Sequence, residues 1–275
     1  MQPPIVALVA AMAGSFLRRT RIAGDLHTAV FDNPKWTWAT SITLRLLRKP
    51  GNLAIVTNAE LAKQIEGSGG EALVLHDLIE TYDDRGAEPL DDEDLETQIM
   101  DVRFVLVPVT YAYDEPLDEL VDAAIMTPEV TWLYTGRAPS WIREKAPSNI
   151  KFSGFVGIDD YLRLLSRAAA VVAPTTSEST MQRAGYEALS AGKPLMTTAT
   201  RVLMEYFGEA AVASSITAEG FASGIRELLN NSADYELRMS DLRRKRIDDQ
   251  ELALERLKHW TKGHSTKSIP KVASR

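Results

Sequence analysis

The sequence contains no cysteine, and this absence excludes several kinds of chemistry. Disulfide bonds, cysteine nucleophiles and metal ions held by thiolates are all ruled out. Only four histidines occur, scattered along the chain, so a structural zinc site is not predicted either. A chain without cysteine suits a reducing compartment, and we expect a cytoplasmic protein with no metal site and no cofactor.

The chain also lacks an excess of basic residues and a long apolar run. Its net charge of −7 argues against nucleic-acid partners, which need a basic surface that neutralises phosphates. The longest apolar segment, Ile5 to Leu17, is too short to span a bilayer, and its basic residues Arg18 and Arg19 follow it rather than precede it. We therefore expect a buried helix here in preference to a targeting segment.

Short apolar segments alternate with helix-like ones along most of the chain, which predicts parallel strands joined by crossover helices. Two such series are separated by an acidic, irregular stretch that includes Asp91 to Asp94. The clearest predicted strands are Leu53–Val56 and Ala72–Leu75 in the first series, then Phe104–Val109, Val130–Tyr134, Ile150–Phe152, Ala170–Ala173 and Pro194–Thr197 in the second. We interpret the acidic stretch as a linker, although an exposed loop within one domain would show the same composition.

This pattern predicts two domains and a C-terminal extension. The expected segments are a partial N-terminal domain at 1–82, the acidic linker at 83–102, a second domain at 103–232, a long charged helix at 233–260 and a basic tail at 261–275. Tails of this composition are typically disordered, and the lysines of this one could also make a weak peripheral contact with a membrane surface.

In an open α/β sheet, ligands bind at the carboxyl ends of the strands, so the loops after the predicted strands are the places to look for a site. The segment Pro174 to Gln182 is rich in hydroxyl groups and precedes a predicted helix. Free backbone N–H groups and the helix dipole together favour an anion at such a position. Serine and threonine also begin ordinary helices, so this loop alone does not establish a site.

A longer set of motifs in the second series resembles the donor-binding domain of glycosyltransferase family 4. The motifs are Phe152-Ser153-Gly154-Phe155-Val156, Asp160-Tyr161-Leu162, Val171-Val172-Ala173-Pro174, Glu178, the segment Tyr186 to Pro194, and Glu205-Tyr206-Phe207-Gly208. Their order and spacing match over most of Phe104 to Leu229. The resemblance implies an α/β protein with two Rossmann-like domains of GT-B type, the N-terminal one shortened, followed by a long C-terminal helix.

The resemblance also implies roles for particular residues. Glu187 matches the second glutamate of the paired-glutamate motif of the family, which accepts hydrogen bonds from the ribose hydroxyls. Phe155 and Val156 lie where the family holds the base. Thr180, Met181 and Gln182 would offer backbone N–H groups to the pyrophosphate in place of a metal ion. These last three residues would otherwise serve only to start the helix.

Two features depart from the family pattern. The family separates its two glutamates by seven residues, whereas eight lie between Glu178 and Glu187, and the seven-residue register falls on Ser179. We expect Glu178 to reach the donor sugar through a one-residue bulge, and we include Ser179 among the donor-binding residues.

The second departure is a missing pair of basic residues. The family commonly holds the phosphates with such a pair after the first strand of the domain, but this sequence has Thr110 and Tyr111 in that region, which we retain as donor-binding residues. Arg137, Arg183 or Arg201 could supply the positive charge instead, and each is also typical of an ordinary surface arginine. Arg137 is the one that we assign to the donor site.

His27 follows the first predicted strand and resembles the interdomain histidine of the family, near the reacting sugar. Its imidazole could hydrogen-bond the donor sugar or take a proton from the acceptor, since both roles suit a pKa near neutrality. Family members normally have a Gly-rich strand and loop before this point, and only Met1 to Thr20 precede it here. We therefore expect a shortened acceptor side, whether the sequence is a fragment, has a wrongly chosen start codon or belongs to a shortened protein.

The favoured function is transfer of a hexose from a UDP or GDP sugar to a glycan or lipid-linked acceptor, in polysaccharide biosynthesis. The resemblance implies retention of anomeric configuration and independence of metal ions. Two alternatives remain open at this point. One is a truncated or degenerate relative that binds nucleotide without catalysis, and the other is a sugar-nucleotide epimerase of the same fold.

Overall fold

A computed structural model of the chain describes residues 4–18, 20–32, 37–82 and 88–263. The chain divides into two compact units. Unit 1 comprises Met1–Asp77 and Ile247–Arg275, and unit 2 comprises Leu78–Arg246. Residues 83–87 of the expected linker and residues 264–275 of the basic tail lie outside the described part of the chain.

Unit 1 is built on a three-stranded parallel sheet with strand order β1-β2-β3. The strands are β1 (Ala23–Leu26), β2 (Leu53–Val56) and β3 (Ala72–Val74), and the helices are α1 (Pro4–Arg18), α2 (Ala29–Asp32), α3 (Thr37–Leu47) and α4 (Ala59–Gly67). The apolar run of β2 is almost entirely buried, as a central strand requires. The next helix, α4, begins after Asn58 because the side chain of Asn58 accepts a 3.0 Å hydrogen bond from the Leu61 amide.

Helix α1 occupies the apolar segment for which we expected a buried helix. Its Leu8 packs in the core of unit 1, whereas the neighbouring Val9 is half exposed. This alternation is typical of an amphipathic helix that covers one side of a core. Within the described ranges, no helix combines the length and the apolar character needed to cross a membrane.

Unit 2 is built on a six-stranded parallel sheet with strand order β6-β5-β4-β7-β8-β9. The strands are β4 (Phe104–Val107), β5 (Thr131–Thr135), β6 (Ile150–Gly154), β7 (Ala170–Val172), β8 (Leu195–Thr198) and β9 (Ala211–Ser214). The helices are α5 (Glu93–Ile99), α6 (Leu117–Met126), α7 (Ser140–Lys145), α8 (Ile158–Arg167), α9 (Arg183–Ala191), α10 (Arg201–Phe207) and α11 (Ala218–Asn230). Phe104 and Leu106 face one core cluster, and Val105 and Val107 face the other. The continuous apolar run therefore forms a strand that is buried on both faces.

The acidic stretch differs from the linker that its composition suggests. Residues 93–99 form α5, whose Leu95 and Ile99 are buried in the core of unit 2. The acidic side chains have defined partners in this unit: Glu96 lies 2.6 Å from the Arg167 guanidinium, and Asp91 lies 2.8 Å from that of Arg163. Acidic residues that pair with arginines of α8 thus hold this segment against unit 2.

The last helix, α12 (Ser232–Thr261), contributes to both units. In unit 2, the guanidinium of Arg246 donates a 2.6 Å hydrogen bond to the Tyr206 carbonyl oxygen. In unit 1, Trp260 is buried and its indole N–H donates to the Gly51 carbonyl oxygen at 3.2 Å. Tyr235 and Met239 near the start of the helix are also buried, so buried residues near both ends explain why a strongly charged sequence forms an ordered helix of this length.

The strand order of unit 2 reverses between β4 and β7, because β5 and β6 extend to one side of β4 whereas β8 and β9 extend beyond β7. In open parallel sheets, a crevice forms at the carboxyl ends of the strands where the order reverses. The loops 108–116 and 173–182 follow these two strands. The fold therefore places the hydroxyl-rich loop of the sequence at the position where ligands bind.

Candidate donor site

Two loops at the reversal point are tied together by Asp114. The amide of Thr176 donates to the Asp114 carbonyl oxygen at 2.7 Å, and the hydroxyl of Thr175 donates to the Asp114 carboxylate at 3.0 Å. Thr175 is fully buried, so this contact fixes the hydroxyl-rich loop against the loop after β4. Sequence reasoning assigned no role to Asp114 or Thr175, because 61 positions separate them along the chain.

The loop after β4 is closed by its own side chains. The Glu115 carboxylate accepts hydrogen bonds from the Thr110 amide at 3.0 Å, the Thr110 hydroxyl at 3.1 Å and the Ala112 amide at 2.8 Å. Tyr111 adopts a left-handed conformation with φ of 60°, and its hydroxyl donates to the Thr135 carbonyl oxygen at 3.1 Å. Burial raises the pKa of Tyr111 to about 12. Thr110 and Tyr111 thus lie at the site, with their side chains holding the loop.

The ends of β5 and β6 meet at two glycines. The Gly136 amide donates to the Gly154 carbonyl oxygen at 2.8 Å, and both residues have positive φ. Just beyond them, the Arg137 guanidinium lies 5.8 Å from the centroid of the Phe155 ring, which is 76% exposed. Val156 packs against the core instead. An exposed ring with a cation beside it forms a flat surface that could stack on a base.

The hydroxyl-rich loop is ordered by internal hydrogen bonds. The hydroxyl of Thr180 donates to that of Ser177 at 2.8 Å, and the Ser177 amide donates to the Thr175 hydroxyl at 3.1 Å. Gln182 holds the end of the loop through its side-chain amide, which donates to the Pro174 carbonyl oxygen at 3.3 Å. Ser179, Thr180, Met181 and Gln182, four predicted donor-binding residues, therefore all lie in this loop.

Helix α9 begins at Arg183, directly after the hydroxyl-rich loop. In the described loop and helix, the side chain of the preceding residue, Gln182, makes no capping hydrogen bond to α9. The positive end of the helix dipole thus lies beside a loop with several hydroxyl groups. This arrangement is suited to an anion.

Two buried threonines, Thr198 and Thr200, lie at the carboxyl end of β8, next to the hydroxyl-rich loop. The Thr198 hydroxyl donates to the Thr175 carbonyl oxygen at 2.7 Å and accepts from the Thr175 amide at 3.2 Å. The Thr200 side chain is buried, and its hydroxyl has no hydrogen-bond partner among the described residues. At the start of α10, the Arg201 amide donates to the exposed carboxylate of Glu178 at 3.4 Å. Glu178 is thereby brought to the carboxyl end of β8.

Glu187 has the most defined environment of the predicted residues. Its carboxylate accepts a short hydrogen bond from the Tyr161 hydroxyl on one oxygen and lies 2.9 Å from Arg183 Nε on the other. Only 14% of its side chain is exposed. A carboxylate held in this way is oriented for hydrogen bonding to a hydroxyl-bearing ligand.

Two tyrosines accompany Glu187 and were not assigned to the site from the sequence. Burial raises the pKa of Tyr161, and the negative charge of Glu187 raises it further. Burial also raises the pKa of Tyr82 to about 12, with contributions from the charges of Glu80 and Glu187. Both phenols are therefore protonated near neutral pH, and Tyr161 acts as a hydrogen-bond donor to the carboxylate.

His27 belongs to unit 1 and directly follows β1. Its Nε2 lies 3.6 Å from the Asp25 carboxylate, and 40% of its side chain is exposed. An ion pair this exposed contributes little to stability. The imidazole therefore remains accessible for another role.

Comparisons with known proteins bear on the second unit most directly. Residues 110–231 match the family model described as glycosyl transferases group 1. Unit 2 is thus similar to a group 1 glycosyltransferase domain. This domain includes the loops after β4 and β7, and the prediction of a glycosyltransferase is confirmed at the level of the domain family. Membership of family 4 in particular stays a prediction. A search of curated protein sequences finds no match.

Solved glycosyltransferase structures share the fold of the chain. HepE of Anabaena, in complex with UDP and glucose, has a TM-score of 0.67 at 19% identity over 90% of this chain and 71% of that chain. Sucrose-phosphate synthase of Thermosynechococcus elongatus has a TM-score of 0.68 at 16% identity over 93% of this chain and 71% of that chain. WaaG, a glycosyltransferase involved in lipopolysaccharide biosynthesis, has a TM-score of 0.58 at 17% identity over 92% of this chain and 83% of that chain. The predicted GT-B type of α/β fold is confirmed.

Proposed function

We propose that the protein is a glycosyltransferase that moves a hexose from a UDP or GDP sugar to a glycan or lipid-linked acceptor. The observation that carries this proposal is Glu187, a carboxylate oriented by Tyr161 at the strand-order reversal of a group 1 glycosyltransferase domain. The solved complex of HepE with UDP-glucose supports a UDP sugar as donor. The role of WaaG in lipopolysaccharide biosynthesis supports a lipid-linked glycan as acceptor.

In the proposed donor complex, the ribose, the base and the diphosphate each contact a different part of unit 2. Glu187 accepts hydrogen bonds from the ribose hydroxyls, and the base stacks on the exposed Phe155 ring, near Arg137 and the backbone of Val156. The diphosphate lies at the start of α9, where the amides of Ser179 to Gln182 and the helix dipole favour negative charge. These amides take the place of a metal ion, so we propose metal-independent transfer.

The proposed reaction is a retaining transfer. The bond from the sugar C1 to the diphosphate oxygen breaks, a bond from C1 to the acceptor oxygen forms on the same face, and the acceptor hydroxyl gives its proton to His27 or to the departing diphosphate. Glu178 contacts the donor sugar, and the nearby Arg201 amide holds its carboxylate at the site.

The cysteine-free composition and the nucleotide-sugar donor both support a cytoplasmic location, with weak contact at the inner membrane surface through the basic tail.

We expect His27→Ala to lower turnover about tenfold while donor affinity changes less than twofold. The reason is that His27 is proposed to hydrogen-bond the reacting sugar or take the acceptor proton, and one such interaction is worth about 1.4 kcal/mol in the transition state. His76→Ala is the matched control, since His76 also follows a strand of unit 1 and is half-buried. Equal turnover of the His27 and His76 variants would remove the catalytic role of His27.

The proposal is tested by following nucleoside diphosphate release from UDP and GDP sugars, with and without a panel of glycans and lipid-linked acceptors. We expect release that depends on the acceptor and persists in EDTA, and a product with the anomeric configuration of the donor by NMR. Two other outcomes would replace the proposal. Binding without release indicates a nucleotide-binding relative, and conversion of the free nucleotide sugar to its epimer indicates an epimerase.

A further inference from the structure

The proposed diphosphate position lacks a basic residue in the loop that follows β4. Loop 108–116 is described throughout and contains no lysine or arginine, whereas it does contain Asp114 and Glu115. A nucleoside diphosphate brings two or more negative charges, and the end of a helix offers only about half a positive charge. A cation from another element is therefore needed.

Arg183 is the first residue of α9 and lies at its positive end. A cation at this position is unfavourable for the helix itself, since the first turn favours acidic side chains. The side chain of Arg183 is 77% exposed and pairs with Glu187 four residues later. This order, with the basic residue nearer the N-terminus, is the weaker of the two possible orders for a helical ion pair.

The two partners of Glu187 are held very differently. Tyr161 is partly buried and packs against the core of unit 2, whereas Arg183 is exposed and its ion pair contributes little in high dielectric. Breaking the contact between Arg183 and Glu187 therefore costs little free energy, while breaking the contact between Tyr161 and Glu187 would cost more. The carboxylate can stay in place while its second oxygen changes partner.

The other candidate arginines are placed less favourably for this role. Arg137 lies beside the Phe155 ring at the ends of β5 and β6, where the base is proposed to bind. Arg201 begins α10, after β8. Arg183 begins the helix that follows β7 at the strand-order reversal, and its guanidinium contacts the carboxylate proposed to bind ribose.

We propose that Arg183 exchanges its contact with Glu187 for the diphosphate of the donor. The exchange supplies the missing positive charge and at the same time frees the second oxygen of Glu187 to accept a hydrogen bond from ribose. Phosphate binding and ribose binding are thus coupled through one side chain. This inference rests on the proposed function, because it needs a nucleoside diphosphate at the site.

Calorimetry with nucleoside, nucleoside monophosphate and nucleoside diphosphate tests this exchange, in both the uridine and the guanosine series. We expect Arg183→Ala to weaken diphosphate binding about tenfold or more, to weaken monophosphate binding less, and to leave nucleoside binding unchanged or slightly tighter. The salt dependence of diphosphate binding should also become shallower, because one ionic contact is lost. Arg183→Lys should restore part of the affinity.

Arg244→Ala is the matched control. Arg244 is equally exposed, at 76%, and pairs with Asp241 on α12, so its loss removes the same charge from an ion pair outside the loops and the helix α9 of the site. We expect no change in diphosphate binding for this variant. Equal weakening of nucleoside and diphosphate by Arg183→Ala, or no weakening of either, would overturn the exchange. Failure of the unaltered protein to bind any of these ligands would instead overturn the proposed function.

Discussion

Glu187→Ala is expected to lower the affinity for a UDP or GDP sugar about a hundredfold. The variant removes the carboxylate that accepts from ribose, and a hundredfold loss corresponds to about 2.7 kcal/mol, within the range of about 1.5–3 kcal/mol for one hydrogen bond to a charged group. It also leaves the partly buried hydroxyl of Tyr161 without its acceptor. Calorimetry with the nucleotide sugar measures the loss, and a thermal melt establishes that the variant is folded.

The control for this variant is Glu227→Ala. Glu227 also accepts a hydrogen bond from a tyrosine, because the Tyr235 hydroxyl donates to it at 2.6 Å, on a surface formed by α11 and α12. Loss of the Tyr235 contact should affect stability in the same way as loss of the Tyr161 contact. Glu227, however, is remote in sequence from the loops of the donor site. Similar donor affinities for the Glu187 and Glu227 variants would show that Glu187 does not bind ribose.

Gly136→Ala is expected to lower the free energy of unfolding by about 3 kcal/mol or more. Gly136 has φ of +80°, which costs an L-residue about 1–2 kcal/mol. In addition, a Cβ at this position would lie 2.6 Å from the Val109 carbonyl oxygen. This oxygen belongs to the backbone, so a change of side-chain rotamer cannot relieve the clash. Chemical denaturation of the two proteins measures the difference.

Gly154→Ala separates the two causes. Gly154 has a similar φ of +68°, and a Cβ added there would meet no atom within 4 Å. We therefore expect a loss of only about 1–2 kcal/mol, from backbone conformation alone. Equal losses for the two variants would mean that the contact with Val109 has no energetic cost and that the ends of β4 and β5 are not packed as described.

The strands of unit 2 were predictable where apolar residues run almost without interruption. Phe104–Val107 is the clearest example, because each of its residues is buried in one of two core clusters. Strand β9 and helix α10 were missed. Ala211–Ser214 is a short run of small residues, and its burial comes from pairing with β8, which a local pattern cannot show.

Helix α5 was missed for a different reason. Its acidic residues resemble a linker, and the helical spacing of Leu95 and Ile99 is too short a pattern to outweigh them. In the structure, Leu95 and Ile99 pack in the core of unit 2 and Glu96 pairs with Arg167, which lies 71 positions away. Long-range partners of this kind cannot be identified from one sequence.

The candidate site was predictable in its location and less so in its contacts. The hydroxyl-rich loop, the glutamate of α9 and the exposed Phe155 follow from the order of motifs along the chain. The contact between Tyr161 and Glu187 joins residues 26 positions apart, and the link between Asp114 and Thr175 joins residues 61 apart. These contacts depend on how α8, α9 and the β4 loop pack together, which only the fold determines.

The central claim is that unit 2 binds a nucleotide sugar through Glu187 at the strand-order reversal. Its most direct test is calorimetry of the folded chain with a panel of UDP and GDP sugars. We predict saturable binding of one sugar to one site, competition by the matching nucleoside diphosphate, and a loss of affinity in Glu187→Ala. A folded sample that binds no member of the panel would contradict the claim.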